Sequence, residues 1–254
     1  MKVLILCGGK GTRAHPSTQY IPKAMMPVAG VPVVEQVMRI YASQGFDEFV
    51  LAMGYRQEDL VDYFRHRRGW KVQCIDTGEA ADTGTRIFRC LDAVGDRFHA
   101  TYCDGLADVD LHELVSFHES HGDGASVTTV PLRSQYGILL SDEDDRITQF
   151  VEKPTLPEHW INAGFFVFDR DALLSAQGDN LERDVLPELA RARRLRAYRH
   201  GGFWRSMDTQ KDQQELDQQW VPYSTEMATK SPANGERLPR WLKQRYKLVE
   251  TTSS

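Results

Sequence analysis

The chain opens on an unbroken apolar run, Val3 to Cys7, with the length and composition of a parallel strand covered on both faces. Thereafter the apolar positions alternate between runs of strand length and stripes of helical spacing. Pro32 opens a helix at its first turn, Val33, Val34, Val37, Met38 and Tyr41 form its apolar stripe, and Gly45 ends it. Glu48 to Met53 reads as a second strand ended by Gly54. Gln57 to Arg67 reads as a short helix with Leu60, Val61 and Phe64 inward, and Lys71 to Asp76 as a third strand. The order βαβαβ predicts a parallel sheet with right-handed crossovers.

From Arg86 the spacing of Ile87, Cys90, Leu91 and Val94 is helical, which sets Thr83 and Gly84 at a helix N-terminus, with Thr83 or Thr85 as the cap. Phe98 to Cys103 is a fourth strand, Leu111 to His121 a helix, and Ala125 to Pro131 a further strand. From Tyr136 the pattern changes. Gly137 to Leu140, Ile147 to Val151 and Ile161 to Phe168 read as strands of an antiparallel insertion, the first two joined by a turn at Asp142 to Asp145. Asn180 to Arg194 is mainly one helix, Leu195 to Tyr198 a strand, and Gln210 to Trp220 a polar helix. The expected fold class is α/β: a Rossmann-like, mixed but mainly parallel sheet with helices on both faces and an inserted antiparallel sheet. The expected organisation is a catalytic domain over 1–220, with a nucleotide half to about 132 and a sugar-binding half over about 133–220. Residues 221–254 form a C-terminal tail or docking segment, basic and aromatic after Pro239 and frayed from Glu250.

Composition narrows the classes of partner. The 254 residues suit one large α/β domain or one and a half smaller ones, and 41% hydrophobic with 26% charged residues is an ordinary soluble balance. Thirty-one Lys and Arg against 36 Asp and Glu leave a net charge of −5, so neither nucleic acid nor an anionic membrane is an expected partner. No apolar run approaches the ~20 residues that span a bilayer. The N-terminus enters a strand directly, and no signal peptide is expected. Cys7, Cys74, Cys90 and Cys103 lack CxxC spacing, and a reducing cytoplasm is the simplest setting.

Chemistry concentrates after the first strand. Gly8, Gly9 and Gly11 let the backbone turn and approach a ligand, so that its N–H groups can line an anion, and Arg13 and Lys23 bring positive charge. This is a phosphate cradle at the carboxyl end of a strand, where α/β sheets bind ligands. Asp104, at the end of the fourth strand, faces that cradle and suits Mg²⁺, with Asp208 as a second carboxylate or as a helix cap. Asp108 and Asp110 read as turn or cap residues. Glu152 and Lys153 offer a hydroxyl acceptor and a cation for a second phosphate, or a plain exposed ion pair. His118 and His121, three apart with no third ligand, read as solvated histidines.

Together, Leu6-Cys7-Gly8-Gly9-Lys10-Gly11-Thr12-Arg13 and Pro22-Lys23 resemble the signature loop of the sugar-1-phosphate nucleotidyltransferases. Asp76-Thr77-Gly78, Thr83-Gly84-Thr85-Arg86, the stretch from Tyr102 to Asp110, Phe150 to Pro154, Ile161 to Phe166 and Phe203 to Thr209 are similar to the glucose-1-phosphate cytidylyltransferases within that family. The resemblance covers residues 1 to about 220. It implies a nucleotide-diphospho-sugar transferase type of fold, and a reaction in which an NTP and a sugar 1-phosphate give an NDP-sugar and pyrophosphate. It implies CTP and glucose 1-phosphate as substrates, with dTTP or UTP as the next nucleotides, Mg²⁺ as cofactor and a homo-oligomer as the assembly. It assigns Arg13 to the pyrophosphate and Lys23 to the α-phosphate. Leu6, Gly8, Gly9, Gly11, Thr12, Thr83, Gly84 and Asp104 would contact the nucleotide. Asp104 and Asp208 would hold the metal, and Gly137, Glu152, Lys153 and Asn162 would bind the sugar phosphate. The chain departs from the family pattern at Lys10, Ala14 and Thr85, and it keeps only Arg65 to Gly69 where the cytidylyltransferases carry a long insertion.

Overall fold

The computed structural model describes residues 1–14, 17–122, 124–230 and 238–252. Strand β1 (Val3–Leu6) leads through short 3-10 turns to the hairpin of β2 (Pro27–Val28) and β3 (Val31–Pro32), and then to α1 (Val33–Ala42). There follow β4 (Glu48–Met53), α2 (Gln57–Arg65), β5 (Lys71–Asp76), α3 (Thr83–Val94), β6 (Arg97–Tyr102), β7 (Gly105–Ala107), α4 (Leu111–Ser120) and β8 (Ala125–Arg133). The second half contains β9 (Ile138–Ser141), β10 (Ile147–Val151), β11 (Thr155–Asp169), α5 (Arg170–Leu174), a π-helical turn at Leu181–Val185 and α6 (Leu186–Arg191). It closes with β12 (Leu195–Arg199), β13 (Trp204–Ser206), α7 (Gln210–Lys230) and α8 (Arg240–Thr252).

Seven strands form one sheet in the order β12-β8-β11-β6-β1-β4-β5. The pairs β1–β4, β1–β6, β4–β5 and β8–β12 are parallel, and β11 alone runs against its neighbours β6 and β8. The fold is therefore the expected mixed, mainly parallel α/β sheet, with β9–β10 as a separate antiparallel hairpin. The sequence placed Ile161 to Phe168 in that insertion. Instead it belongs to β11, whose Phe166, Val167 and Phe168 pair with Ala100, His99 and Phe98 of β6 in the heart of the sheet. Asn162 thus stands on the main sheet.

Alternation along β1 shows why its apolar run is continuous. Val3 and Ile5 enter the core on one face, with α1, α2, α4 and residues of α7 and α8; Leu4 and Leu6 enter the other, with α3, α5 and α6. The stripe read for α1 is buried throughout. Asp82, rather than either threonine, caps α3 through Thr83 N–H at 2.8 Å. Asp110 caps α4 as expected, accepting from Glu113 N–H at 2.9 Å. His118 is not solvated: it is buried between Ser126 and Asp169, at 3.0 and 3.1 Å. Helix α7 continues through residue 220, and buried Trp220 donates to Gln36 of α1 at 3.2 Å. Among the described residues no helix is long and apolar enough to cross a membrane.

Candidate active site

The parallel register decides where the site lies. Leu6 pairs with Tyr102, so the chains leaving β1 and β6 exit side by side, one into the glycine loop and the other into Asp104. The short β7–β13 pairing sets Ser206 opposite Gly105, and the backbone of Met207 donates to Asp104 O at 2.9 Å, which brings Asp208 to the same place. Above these strand ends lies a cavity of about 610 Å³. Its wall includes Leu6, Gly8, Gly9, Gly11, Thr12, Arg13, Lys23, Thr83, Asp104, Asn162 and Asp208, so eleven of the predicted site residues converge on one space. Gly84 sits behind that wall, packed on the backbone of Asp179. Gly137, Glu152 and Lys153 lie apart from the cavity lining, on the β9–β10 hairpin and the turn that follows it. There the Glu152 carboxylate lies over Gly137 and 3.7 Å from Lys153 Nζ.

Four charges meet at the cavity floor. Lys23 Nζ, carried on a 3-10 turn (Lys23–Met25), donates to Asp104 Oδ2 and, at 3.0 Å, to Asp208 Oδ1. Arg13 reaches the same Asp208 oxygen at 2.9 Å. Burial pulls the Lys23 ammonium down, but the two carboxylates outweigh it and hold its pKa above the ordinary lysine value. Burial would likewise raise Asp208, yet Lys23 and Arg13 hold it below the usual carboxylate range. Both groups are therefore charged at neutral pH. The two aspartates converge on one cation, and among the described residues no cluster of three or more metal-ligating side chains occurs. Two hard oxygen donors facing a glycine loop fit Mg²⁺, an ion that commonly takes the rest of its coordination from water and phosphate oxygens.

Two features escaped the sequence. Arg86 is buried, and its guanidinium donates to Gly8 O and Gly78 O at 3.0 Å, Met53 O at 2.9 Å and Thr77 Oγ1 at 2.6 Å. It ties the glycine loop to the end of β4 and to the loop before α3. The Thr83-to-Arg86 motif pointed at it, but a charged residue on a helix otherwise reads as surface. The second is Glu182, which accepts from Tyr102 Oη and, at 2.7 Å, from Thr83 Oγ1. Asn162 Nδ2 donates to the same Tyr102 oxygen at 3.2 Å, so one network crosses the cavity from Thr83 to Asn162.

Comparison with known proteins gives the site a context. A family model described as nucleotidyl transferase matches residues 2–207. The Bacillus subtilis (strain 168) protein named "Probable glucose-1-phosphate cytidylyltransferase" is 36% identical over 246 residues, covering 87% of this chain and 96% of that protein. The Salmonella typhi glucose-1-phosphate cytidylyltransferase is 32% identical over 247 residues, with the same shares of 87% and 96%. Among solved structures, HddC from Yersinia pseudotuberculosis complexed with GMP-PN superposes with a TM-score of 0.67 at 22% identity, covering 86% of this chain and 99% of that one, a likeness of fold.

Proposed function

The chain belongs to the nucleotidyl transferase family, in its sugar-1-phosphate branch, and from that premise we propose that it transfers a cytidylyl group from CTP to glucose 1-phosphate. The observation that carries this reading is the convergence of Arg13, Lys23, Asp104 and Asp208 beneath a glycine loop in a single cavity. The choice of CTP and glucose 1-phosphate rests on the likeness to the two cytidylyltransferases.

In this mechanism an oxygen of the sugar phosphate attacks the α-phosphorus in line, the bond to the bridging oxygen of the β-phosphate breaks, and pyrophosphate leaves. No protein nucleophile is needed, so positioning and charge neutralisation supply the rate. The N–H groups of Gly8, Gly9 and Gly11 line the triphosphate, with Leu6 and Thr12 beside them; Thr83 borders the base, and Gly84 lets α3 pack against the Asp179 backbone behind it. The incoming phosphates compete with Asp208 for Arg13 and Lys23. Lys23 then neutralises the α-phosphate as negative charge shifts, and Arg13 holds the departing pyrophosphate. Asp104 and Asp208 would hold Mg²⁺, which when bound supplies further charge neutralisation at the phosphates. Asn162 and Glu152 take sugar hydroxyls, Lys153 takes the acceptor phosphate, and Gly137 makes room for the Glu152 carboxylate and the Phe150 ring that lie over it. Residues 1–220 carry the chemistry, with the nucleotide half ending near residue 132.

Pyrophosphate release tests the reading: the protein with Mg²⁺, each NTP in turn and a panel of sugar 1-phosphates. Release is expected with CTP and glucose 1-phosphate. No release with any pair overturns the activity, and release with dTTP or UTP alone overturns the nucleotide assignment.

A further inference from the structure

Helix α8 lies beyond the residues matched by the family model, yet it is built into the core. Leu242, Tyr246 and Val249 are buried on one face of it, and α8 also packs against the 3-10 turn at Ser17–Gln19, between Arg13 and Lys23 in the signature loop. Its polar contact is with a buried carboxylate. Asp59 of α2 is 6% exposed, and its two oxygens are divided between two arginines. Oδ1 accepts from Arg245 of α8, and Oδ2 accepts from Arg56 Nε at 3.0 Å. Arg245 is itself laid over the Trp241 ring, 4.9 Å from its centroid. Arg56 then reaches onward, donating Nη1 to the backbone oxygen of Gln19 at 2.7 Å. It does so from a left-handed backbone (φ +50°), a conformation that a non-glycine side chain adopts only where its surroundings hold it.

The turn so gripped underlies the glycine loop. Thr18 Oγ1 donates to Gly11 O at 3.3 Å, and Ser17 Oγ accepts from Gln210 at 2.7 Å. A Cβ at Gly11 would meet the Lys23 side chain at 2.8 Å and Thr18 at 3.1 Å, so turn, glycine loop and Lys23 are packed as one body. Removing Arg245 would leave the buried Asp59 charge with one partner, and a buried carboxylate in that state draws the remaining cation toward itself. That cation is Arg56, the group holding Gln19.

We infer that α8 is a strap for the phosphate cradle, with Arg245 a positioning residue that acts through Asp59 and Arg56 on the Ser17–Gln19 turn and so on Lys23 and Arg13. The inference builds on the nucleotidyl transfer reading of the cradle. It predicts an effect on the nucleotide side of the reaction, because Lys153 and Asn162 lie on other elements.

The test uses the full chain carrying Arg245→Met, which keeps the stem over Trp241 and removes the charge, beside Arg245→Lys. A second probe is Arg56→Asn, since asparagine tolerates the left-handed backbone. Small displacements of positioning groups cost up to about a hundredfold, so Arg245→Met and Arg56→Asn should each lower kcat/KM for the nucleotide about tenfold. KM for the sugar 1-phosphate should stay within about twofold, and Arg245→Lys within about threefold of wild type, because a lysine keeps the charge on Asp59. Hydrogen exchange of the Ser17 to Tyr20 amides should quicken in Arg245→Met and not in Arg245→Lys. Wild-type nucleotide kinetics and wild-type exchange in Arg245→Met would overturn the inference, whatever its melting temperature. A wild-type protein that releases no pyrophosphate would sink the transfer reading instead, and the exchange measurement would still decide the strap.

Discussion

Gly8 is a residue with no room for a side chain: a Cβ there would lie inside the Arg86 guanidinium, and one at Gly54 would come within 2.6 Å of the same group. The glycines at the ends of β1 and β4 are thus required by a buried arginine as much as by a ligand. Gly8→Ala is expected to destabilise the fold by about 1–3 kcal/mol, as overpacking does. It should also raise KM for the nucleotide, since Arg86 holds both loops of the cradle. An unchanged melting temperature with unchanged KM would contradict this. His99 is a second such residue. Burial pushes its pKa from 6.5 to about 3, so the folded protein keeps the imidazole neutral. The unfolded chain takes up a proton near pH 6.5, which means the stabilisation is full above that pH and drains as pH falls toward 3. His99→Leu should flatten the stability–pH curve between pH 6.5 and 4 by about 1 kcal/mol per pH unit, read by denaturant unfolding. Parallel acid limbs in the two proteins would show that His99 titrates normally.

At the scale of elements, the proposed mechanism divides two substrates between the β9–β10 hairpin and the strand ends. The Glu152–Lys153 pair is exposed, so breaking it should cost the fold no more than about 0.5 kcal/mol. Lys153→Ala should therefore raise KM for the sugar 1-phosphate about tenfold, the loss of one charge-assisted phosphate contact, with little change in melting temperature. A variant with wild-type KM would remove Lys153 from the acceptor site. The same elements mark how far the sequence could be read. β4 and β5 were legible to the residue because local apolar runs end at Gly54 and before the loop at Thr77. β11 was legible as a strand but not in its place, because apolar alternation says nothing about which neighbour a strand pairs with. His118 misled for a related reason: its partners Ser126 and Asp169 come from β8 and β11, outside any local window. Asp82 took the cap of α3 because Thr83 spends its hydroxyl on Glu182, far along the chain. The glycine loop and Arg13 were legible because their chemistry is written in consecutive residues, and Lys23 follows only ten positions on.

For the molecule as a whole, the sheet positions the glycine loop while contacts from distant elements brace it. β1 and β6 fix the glycine loop beside Asp104, β13 delivers Asp208, and Arg86 binds the loop to two further strand ends. Within the four-charge cluster Lys23 neutralises both carboxylates. Asp104 is the member of that cluster set in the turn directly after β6 of the central sheet. The most direct measurement is therefore the rate of pyrophosphate release from CTP and glucose 1-phosphate by Asp104→Ala beside wild type, at matched Mg²⁺, with thermal unfolding recorded on both. Electrostatic groups at a phosphoryl centre contribute on the order of a hundredfold or more, so the variant should fold normally and lose at least that much in kcat. A folded Asp104→Ala enzyme turning over near the wild-type rate would contradict the account.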